Sequence, residues 1–448
     1  MNILLIVLDT ARGDVANSMI SGSELPNLSR LATEGQFYTN ARSNGPWTVP
    51  SHAALFYGVY PNETGVNGNN PDYETVPLIE ELNQRGFKTG GFSSNPWLNS
   101  EFNFDKNFDV LRNQFEYYPE TTTVEEIVNT SDSLKDVIAN GVYELYDSSA
   151  GKVLINLIFS AYRYMLRYDS GASWLFKQTA DWLENDDQRF AFINVTEPHL
   201  AYELPDDWLP DGISQQELTD TQQDPVLHNA GISTISEEDL EILKQVYKST
   251  LRYLDAELGK LYEQAPNDTV FIITSDHGEH FGEYGRFGHQ YSLYDELLHV
   301  PLVIHAPWIE SNEVDSMVEL RSLYKAILDF ADDSYRTLPV IDYHIAETIS
   351  PTPSIESLKA KSGEIKGYAK RYRNGARCIS DSKRKLIEFA DGSVKIVEND
   401  GTEAATEEIK QTLHRKLVSE CGEITYKRQR KIKYSDKIKS RLDDLGYV

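Results

Sequence analysis

The sequence predicts an α/β protein with a mixed, mostly parallel central sheet flanked by helices, followed by a small C-terminal antiparallel α+β unit. Three observations predict it. Short, continuously apolar runs recur along the first three quarters of the chain, helical patterns separate them, and the character changes after about residue 335. Strands that alternate with helices build a doubly wound sheet.

The apolar runs are "NILLIVLD" (2–9), "FAFINVTEPH" (190–199), "TVFIITSDHGE" (269–279) and "VPLVIHAP" (300–307). Consecutive apolar positions are the pattern of parallel strands buried on both faces. Between the second and third runs, Leu240, Leu243, Tyr247, Leu251, Leu254, Leu258 and Leu261 recur at steps of three and four, so a helix is expected. Ser236 and Asp239 can cap its start. Residues 115–185 read as a helical insertion into a catalytic domain spanning 1–335. The insertion carries the apolar stretch 152–168, which has the spacing of a core-facing helix and could also cover a site or touch lipid. Residues 203–236, acidic and Pro-containing, read as a surface loop. In the C-terminal unit, 336–448, residues 376–399 read as a hairpin turning at Asp391-Gly392, and 407–420 as a helix. The basic run 427–433 reads as a solvated linker or an anion-facing tail.

The 448 residues include 70 acidic and 43 basic side chains, a net charge of −27. That balance argues against general nucleic-acid binding. It suits a soluble protein in a salt-rich setting, where screening relieves the repulsion. Cys378 and Cys421 lie far apart and form neither a disulfide framework nor a metal-ligand spacing. No stretch reaches the ~18 apolar residues of a membrane span. The apolar run at the N-terminus, Ile3 to Leu8, is short and lacks a basic leader. A cytoplasmic location is the resulting expectation.

In doubly wound sheets, ligands bind beyond the carboxyl ends of the strands. Asp9 ends the first run, His199 follows the second, and Asp276 with His277 follow the third. Two carboxylates and an imidazole suit one divalent cation. "SDHGEHFGEYGRFGH" packs Asp276, His277, Glu279, His280 and His289 among four glycines, which allow backbone to wrap closely around an ion or phosphate. "NGPWTVPSHAALFYGVYP" (44–61) places Thr48 at a helix mouth, where capping is the ordinary role of Thr. The same position favours bound anions. A nearby cation would activate the Thr48 hydroxyl as a nucleophile and complete its own shell with it. His199 could then contact the transferred anionic group, and His289 could protonate the leaving oxygen.

These motifs, with "PNLSRLATEGQFYTNARS", "RGFKTGGF", "NVTEPHLAY", "YLDAELGKL", "LHVPLVIHAP" and the terminal "RLDDLGYV", occur in the order found in the sulfatase family of the alkaline phosphatase superfamily, which the chain resembles over most of its length. The resemblance implies an alkaline phosphatase-like α/β sandwich with a small C-terminal sheet. It implies a metal held at Asp9, Asp276 and His277, the nucleophile at Thr48, and assisting histidines at His199 and His289. The expected substrate is an anionic small-molecule sulfate or phosphate ester, sugar- or lipid-linked.

The chain also departs from that family. The Cys/Ser-x-Pro-Ser-Arg motif, whose first residue is oxidised to formylglycine, is Thr48-Val49-Pro50-Ser51-His52 here, and Thr cannot give that aldehyde. The second N-terminal metal Asp is Thr10, the Asp-Asn pair is Asp276-His277, and "SSNPWL" (93–98) stands where a Lys-bearing segment is usual. Histidine in place of Asn moves the expected cation from Ca²⁺ toward Mn²⁺ or Zn²⁺. The competing readings are a transferase that passes a phospho group from Thr48 to a sugar or lipid, and a non-catalytic relative that keeps the fold as a binding module.

Overall fold

The computed structural model describes residues 1–68, 70–113, 170–184, 187–362, 365–398, 406–422 and 442. The apolar stretch 152–168 and the basic run 427–433 lie outside them.

Among the described residues, nine strands form the central sheet: β1 (Asn2–Leu8), β2 (Gln36–Arg42), β3 (Lys88–Ser93), β4 (Val110–Asn113), β5 (Arg189–Val195), β6 (Thr269–Thr274), β9 (His299–His305), β10 (Asn312–Val314) and β11 (Val318–Glu319). Their order is β10-β2-β9-β6-β1-β5-β3-β4, with β11 also pairing β2. β1 shows why the apolar runs are continuous. Ile3, Leu5 and Val7 enter the core on one side of the sheet, Leu4, Ile6 and Leu8 the core on the other. A strand sandwiched this way has no polar face to alternate with.

The run 300–307 was expected to be parallel, and this is corrected. β9 pairs antiparallel with both β6 and β2, whereas the β1–β5, β1–β6, β3–β5 and β3–β4 pairs are parallel. Apolar continuity reports burial on two faces, which β9 shares, and carries no information about strand direction. The outcome is a mixed, mostly parallel sheet.

The expected long helix spans Glu237–Gln264. The Ser236 hydroxyl accepts the Asp239 N–H at 3.0 Å, and Asp239 Oδ2 accepts the Ser236 N–H at 3.3 Å. The stretch 203–236 is more ordered than a plain loop: it contains the helices Gln215–Asp220 and Pro225–Asn229 and buries Leu204, Leu218 and Val226. A two-stranded ladder, β7 (His280–Phe281) and β8 (Phe287–Gly288), stands beside the sheet.

The C-terminal sheet is antiparallel, β12 (His344–Ile349), β13 (Gly375–Ser380), β14 (Arg384–Phe389) and β15 (Val394–Glu398) in that order. Residues 376–399 thus hold a three-stranded meander instead of one hairpin. Asp391-Gly392 turns only its second half, with Gly392 at φ +80. The helix Glu407–Cys421 lays Leu413 and Leu417 against Ile345, Ile379 and Leu386 of this sheet. This sheet is tied to the segment that follows β2 through Asn44, whose amide donates to the Ile345 carbonyl at 2.8 Å. Among the described residues no helix is long and apolar enough to cross a membrane.

Candidate active site

The strands β6, β1, β5 and β3 are neighbours and mutually parallel, so their carboxyl ends share one sheet edge. Asp9 follows β1, Asp276 and His277 follow β6, and His199 follows β5. The helix Thr48–Tyr57 begins beside them, because the Ser51 hydroxyl donates to the Asp276 carbonyl at 2.7 Å.

Asp276, Asp9 and His277 each have one atom tied back by the backbone or a neighbour and one atom left. Asp276 Oδ1 accepts the His277 N–H at 3.0 Å and the Thr10 N–H at 3.3 Å. Asp9 Oδ2 accepts the Asn95 amide at 2.6 Å. His277 Nδ1 lies 3.0 Å from the Gly278 carbonyl, which fixes the proton there. The remaining atoms, Asp9 Oδ1, Asp276 Oδ2 and His277 Nε2, are buried and have no hydrogen-bond partner. They converge: His277 Nε2 is 3.7 Å from Asp9 Oδ1 and 3.5 Å from Asp276 Oδ2. Buried carboxylate and imidazole atoms left bare are costly unless a cation takes them. Two hard oxygens and one imidazole nitrogen, all within 4.8 Å of one another, fit a divalent metal.

Burial dominates the electrostatics. It pushes the Asp9 carboxyl up, against the pull of His199, and pushes Asp276 well up, helped by Asp9. It pushes His277 and His289 well below the usual imidazole range. Two carboxylates this close favour a cation between them over two charges in a dry site.

Thr48 is the first residue inside its helix, and the extended Trp47 holds the N-cap position, so the capping reading of Thr48 is set aside. Its hydroxyl instead accepts the Asn95 amide at 3.1 Å. His52, where the family motif has Arg, is buried with Nδ1 2.9 Å from the Thr48 carbonyl and 3.6 Å from Asp276 Oδ2. Burial takes it down to about 4, so it is neutral at pH 7 and supplies no fixed positive charge. His289 lies against two other rings, tilted to His277 with centroids 4.6 Å apart and edge-on to His199 at 5.0 Å. His199 Nδ1 contacts the Leu200 carbonyl. The fold therefore gathers Asp9, Thr48, His199, Asp276, His277 and His289 into one cluster.

Asn95 is the residue that sequence reasoning missed. It is fully buried, and one Nδ2 group donates to both Asp9 and Thr48. The available signal was its place: it lies two residues beyond β3, on the strand-end edge, within the segment that replaces the family's Lys-bearing one. Thr10 was also underread. Its φ is +60, its hydroxyl is committed to the Pro198 carbonyl at 2.6 Å, and its N–H orients Asp276.

A family model described as "Sulfatase" matches residues 1–333. A protein named "Sulfatase" from Formosa agariphila is 23% identical over 367 residues, covering 74% of this chain and 69% of its own length. Across three curated relatives the chain spans 62–69% of their length. Among solved structures, the phosphonate monoester hydrolase of Agrobacterium radiobacter superposes with a TM-score of 0.64 at 17% identity, covering 93% of this chain and 95% of that one. A protein solved with its substrate D-glucosamine-2-N,6-O-disulfate superposes with a TM-score of 0.61 at 14% identity, covering 93% of this chain and 97% of that one.

Proposed function

The chain belongs to the sulfatase family, and from that premise we propose that it is a metal-dependent ester hydrolase with Thr48 as its nucleophile. The observation that carries the proposal is the trio of bare, buried atoms on Asp9, Asp276 and His277, joined to Thr48 through the single amide of Asn95. Asp9, Asp276 and His277 would hold one divalent cation, with Mn²⁺ or Zn²⁺ favoured and Ca²⁺ open. When bound, the cation would supply charge stabilisation at the ester's anionic oxygens and a lowered pKa at the Thr48 hydroxyl.

The chain's own groups account for the rest. Thr48 Oγ1, its proton released to solvent before attack, forms a bond to phosphorus or sulfur while the bond to the ester oxygen breaks. His289 gives its proton to that departing oxygen, and His199 contacts the transferred group. Water then attacks the same phosphorus or sulfur atom, the Oγ1 bond breaks to leave Thr48 as the alkoxide, and the proton shed by the water returns to His289. Asn95 sets the direction of the Thr48 lone pairs and leaves Asp9 Oδ1 for the cation.

The substrate element follows from the nucleophile. A formylglycine hydrate releases sulfate by collapsing to the aldehyde, and a Thr ester has no such exit. It must be cleared by attack at the central atom, a route open to phosphothreonine with metal-assisted water. Phosphodiester or phosphonate ester turnover should therefore exceed aryl sulfate turnover. Matched p-nitrophenyl sulfate, phosphonate and phosphodiester substrates test this by kcat/KM, which reports transition-state stabilisation. A clear preference for the sulfate ester would restore the sulfate reading and overturn the argument from Thr48.

A further inference from the structure

We infer that Glu279 is a positioning residue for His289, making the two a buried carboxylate–imidazole dyad that serves the leaving oxygen; this rests on the hydrolase reading above. The inference starts from local structure. The ladder β7–β8 pairs His280 with Gly288, so the next positions outward, Glu279 and His289, face each other. The register needs Gly288. Its φ is +79, and a Cβ there would meet Pro225 Cβ at 2.5 Å. Arg12 Nη1 donates to the Glu279 carbonyl at 3.1 Å and pins the backbone at that point.

The side chains then meet. His289 Nδ1 lies 3.2 Å from Glu279 Oε1 and 3.4 Å from Oε2, with both residues essentially inaccessible to solvent. A carboxyl group fully removed from water needs a partner, and this one's partner is a ring lying among His277 and His199. With Nδ1 committed to Glu279, proton exchange with a leaving oxygen falls to Nε2. The ring's rotation is fixed by the same bond, the role a second carboxylate plays wherever an imidazole must be held in one orientation. The proton balance closes over the pair, which starts with two protons, one in the bond between Nδ1 and Glu279 and one on Nε2: Nε2 gives its proton to the departing oxygen as the bond to phosphorus or sulfur breaks, the other stays between Nδ1 and Glu279, and Nε2 takes a proton back from the water that attacks next.

The test is leaving-group dependence. A series of esters of one acid, from p-nitrophenyl to alkyl, is turned over by the wild type and by Glu279→Gln, Glu279→Ala, His289→Ala and the Glu279→Gln/His289→Ala double variant. A proton donor matters little for a good leaving group and much for a poor one. Glu279→Gln should lower kcat on the alkyl ester by about 10–100-fold, and by under about 3-fold on the p-nitrophenyl ester, with KM and bound metal unchanged. In the His289→Ala background the same change should add less than about 2-fold, as expected for residues acting as one unit. An equal loss across the series, or a loss that adds fully to that of His289→Ala, overturns the dyad. A second readout needs no turnover. In protein carrying ¹⁵N-labelled histidine, the imidazole signals that vanish in His289→Ala should shift in Glu279→Gln. If they stay in place the dyad is wrong, whether or not any ester is hydrolysed. A wild type that hydrolyses no ester while those signals shift would instead overturn the hydrolase reading and leave the dyad standing.

Discussion

Replacing Asn95 by Ala is the perturbation most tightly specified by the geometry. Three hydrogen bonds disappear: the amide to Asp9 Oδ2 at 2.6 Å, the amide to Thr48 Oγ1 at 3.1 Å, and the Trp97 N–H to Asn95 Oδ1 at 2.8 Å. All three partners are fully buried or nearly so, which makes water a poor replacement. The bond to the ionised Asp9 contributes about 1.5–3 kcal/mol, the bond to a hydroxyl about 0.5–1.5, and an orphaned buried N–H costs about 1–3. Asn95→Ala should therefore lower stability by about 3–7.5 kcal/mol in urea unfolding, read from the midpoint at constant m-value. It should also lower kcat by about 10–100-fold, because the group that aims Thr48 is lost. Asn95→Asp is the sharper companion. It keeps the acceptor for the Trp97 N–H but sets a carboxylate against Asp9, so turnover should fall further although one bond is retained. A loss below about 1 kcal/mol with undiminished turnover would refute the reasoning that Asn95 organises the site.

Two further predictions follow from buried carboxyl groups. Chelator-treated protein should gain stability on adding Mn²⁺ or Zn²⁺, by about 2.7 kcal/mol at a hundred times the dissociation constant, and Asp276→Asn should abolish the gain; calorimetry that shows the same gain in the variant would exclude Asp276 as a ligand. Away from the site, Glu347 accepts the Asn62 N–H at 2.9 Å, its other oxygen has no hydrogen-bond partner, and burial pushes it up to about 7 from 4.5. The unfolded chain gives up this proton first as pH rises, so the group disfavours the folded state progressively from about pH 4.5 to about pH 7, by about 3 kcal/mol at most. Glu347→Gln should remove that decline from a Tm–pH profile, and an unchanged profile would show that Glu347 is not its source.

What was legible in the sequence divides along physical lines. Strand ends could be read, because a run such as Ile3 to Leu8 stops where the sheet's apolar layers stop, and Asp9 is the first polar residue beyond it. The helix Glu237–Gln264 could be read from its spacing and its cap. The direction of β9 could not, since burial on both faces leaves the same pattern in either direction. Asn95 and Glu279 were invisible as roles for another reason. An Asn beyond a strand is an ordinary turn former, and a Glu beside a His is ordinary surface composition. Their meaning comes from partners 86, 47 and 10 residues away in sequence. The Thr48 position misled in the opposite sense: it carries the composition of a cap, while the extended backbone of Trp47 moves the helix start by one residue.

The central claim is that Thr48 Oγ1 becomes covalently bonded to the transferred group. The direct measurement is rapid acid quenching of the metal-loaded enzyme during turnover of a p-nitrophenyl phosphodiester or phosphonate ester, followed by peptide mass spectrometry. The account predicts an added phosphoryl or phosphonyl group on Thr48 that appears during turnover, is lost as substrate is exhausted, and is absent in Thr48→Ala. Steady turnover with Thr48 unmodified, or undiminished turnover by Thr48→Ala, would contradict it.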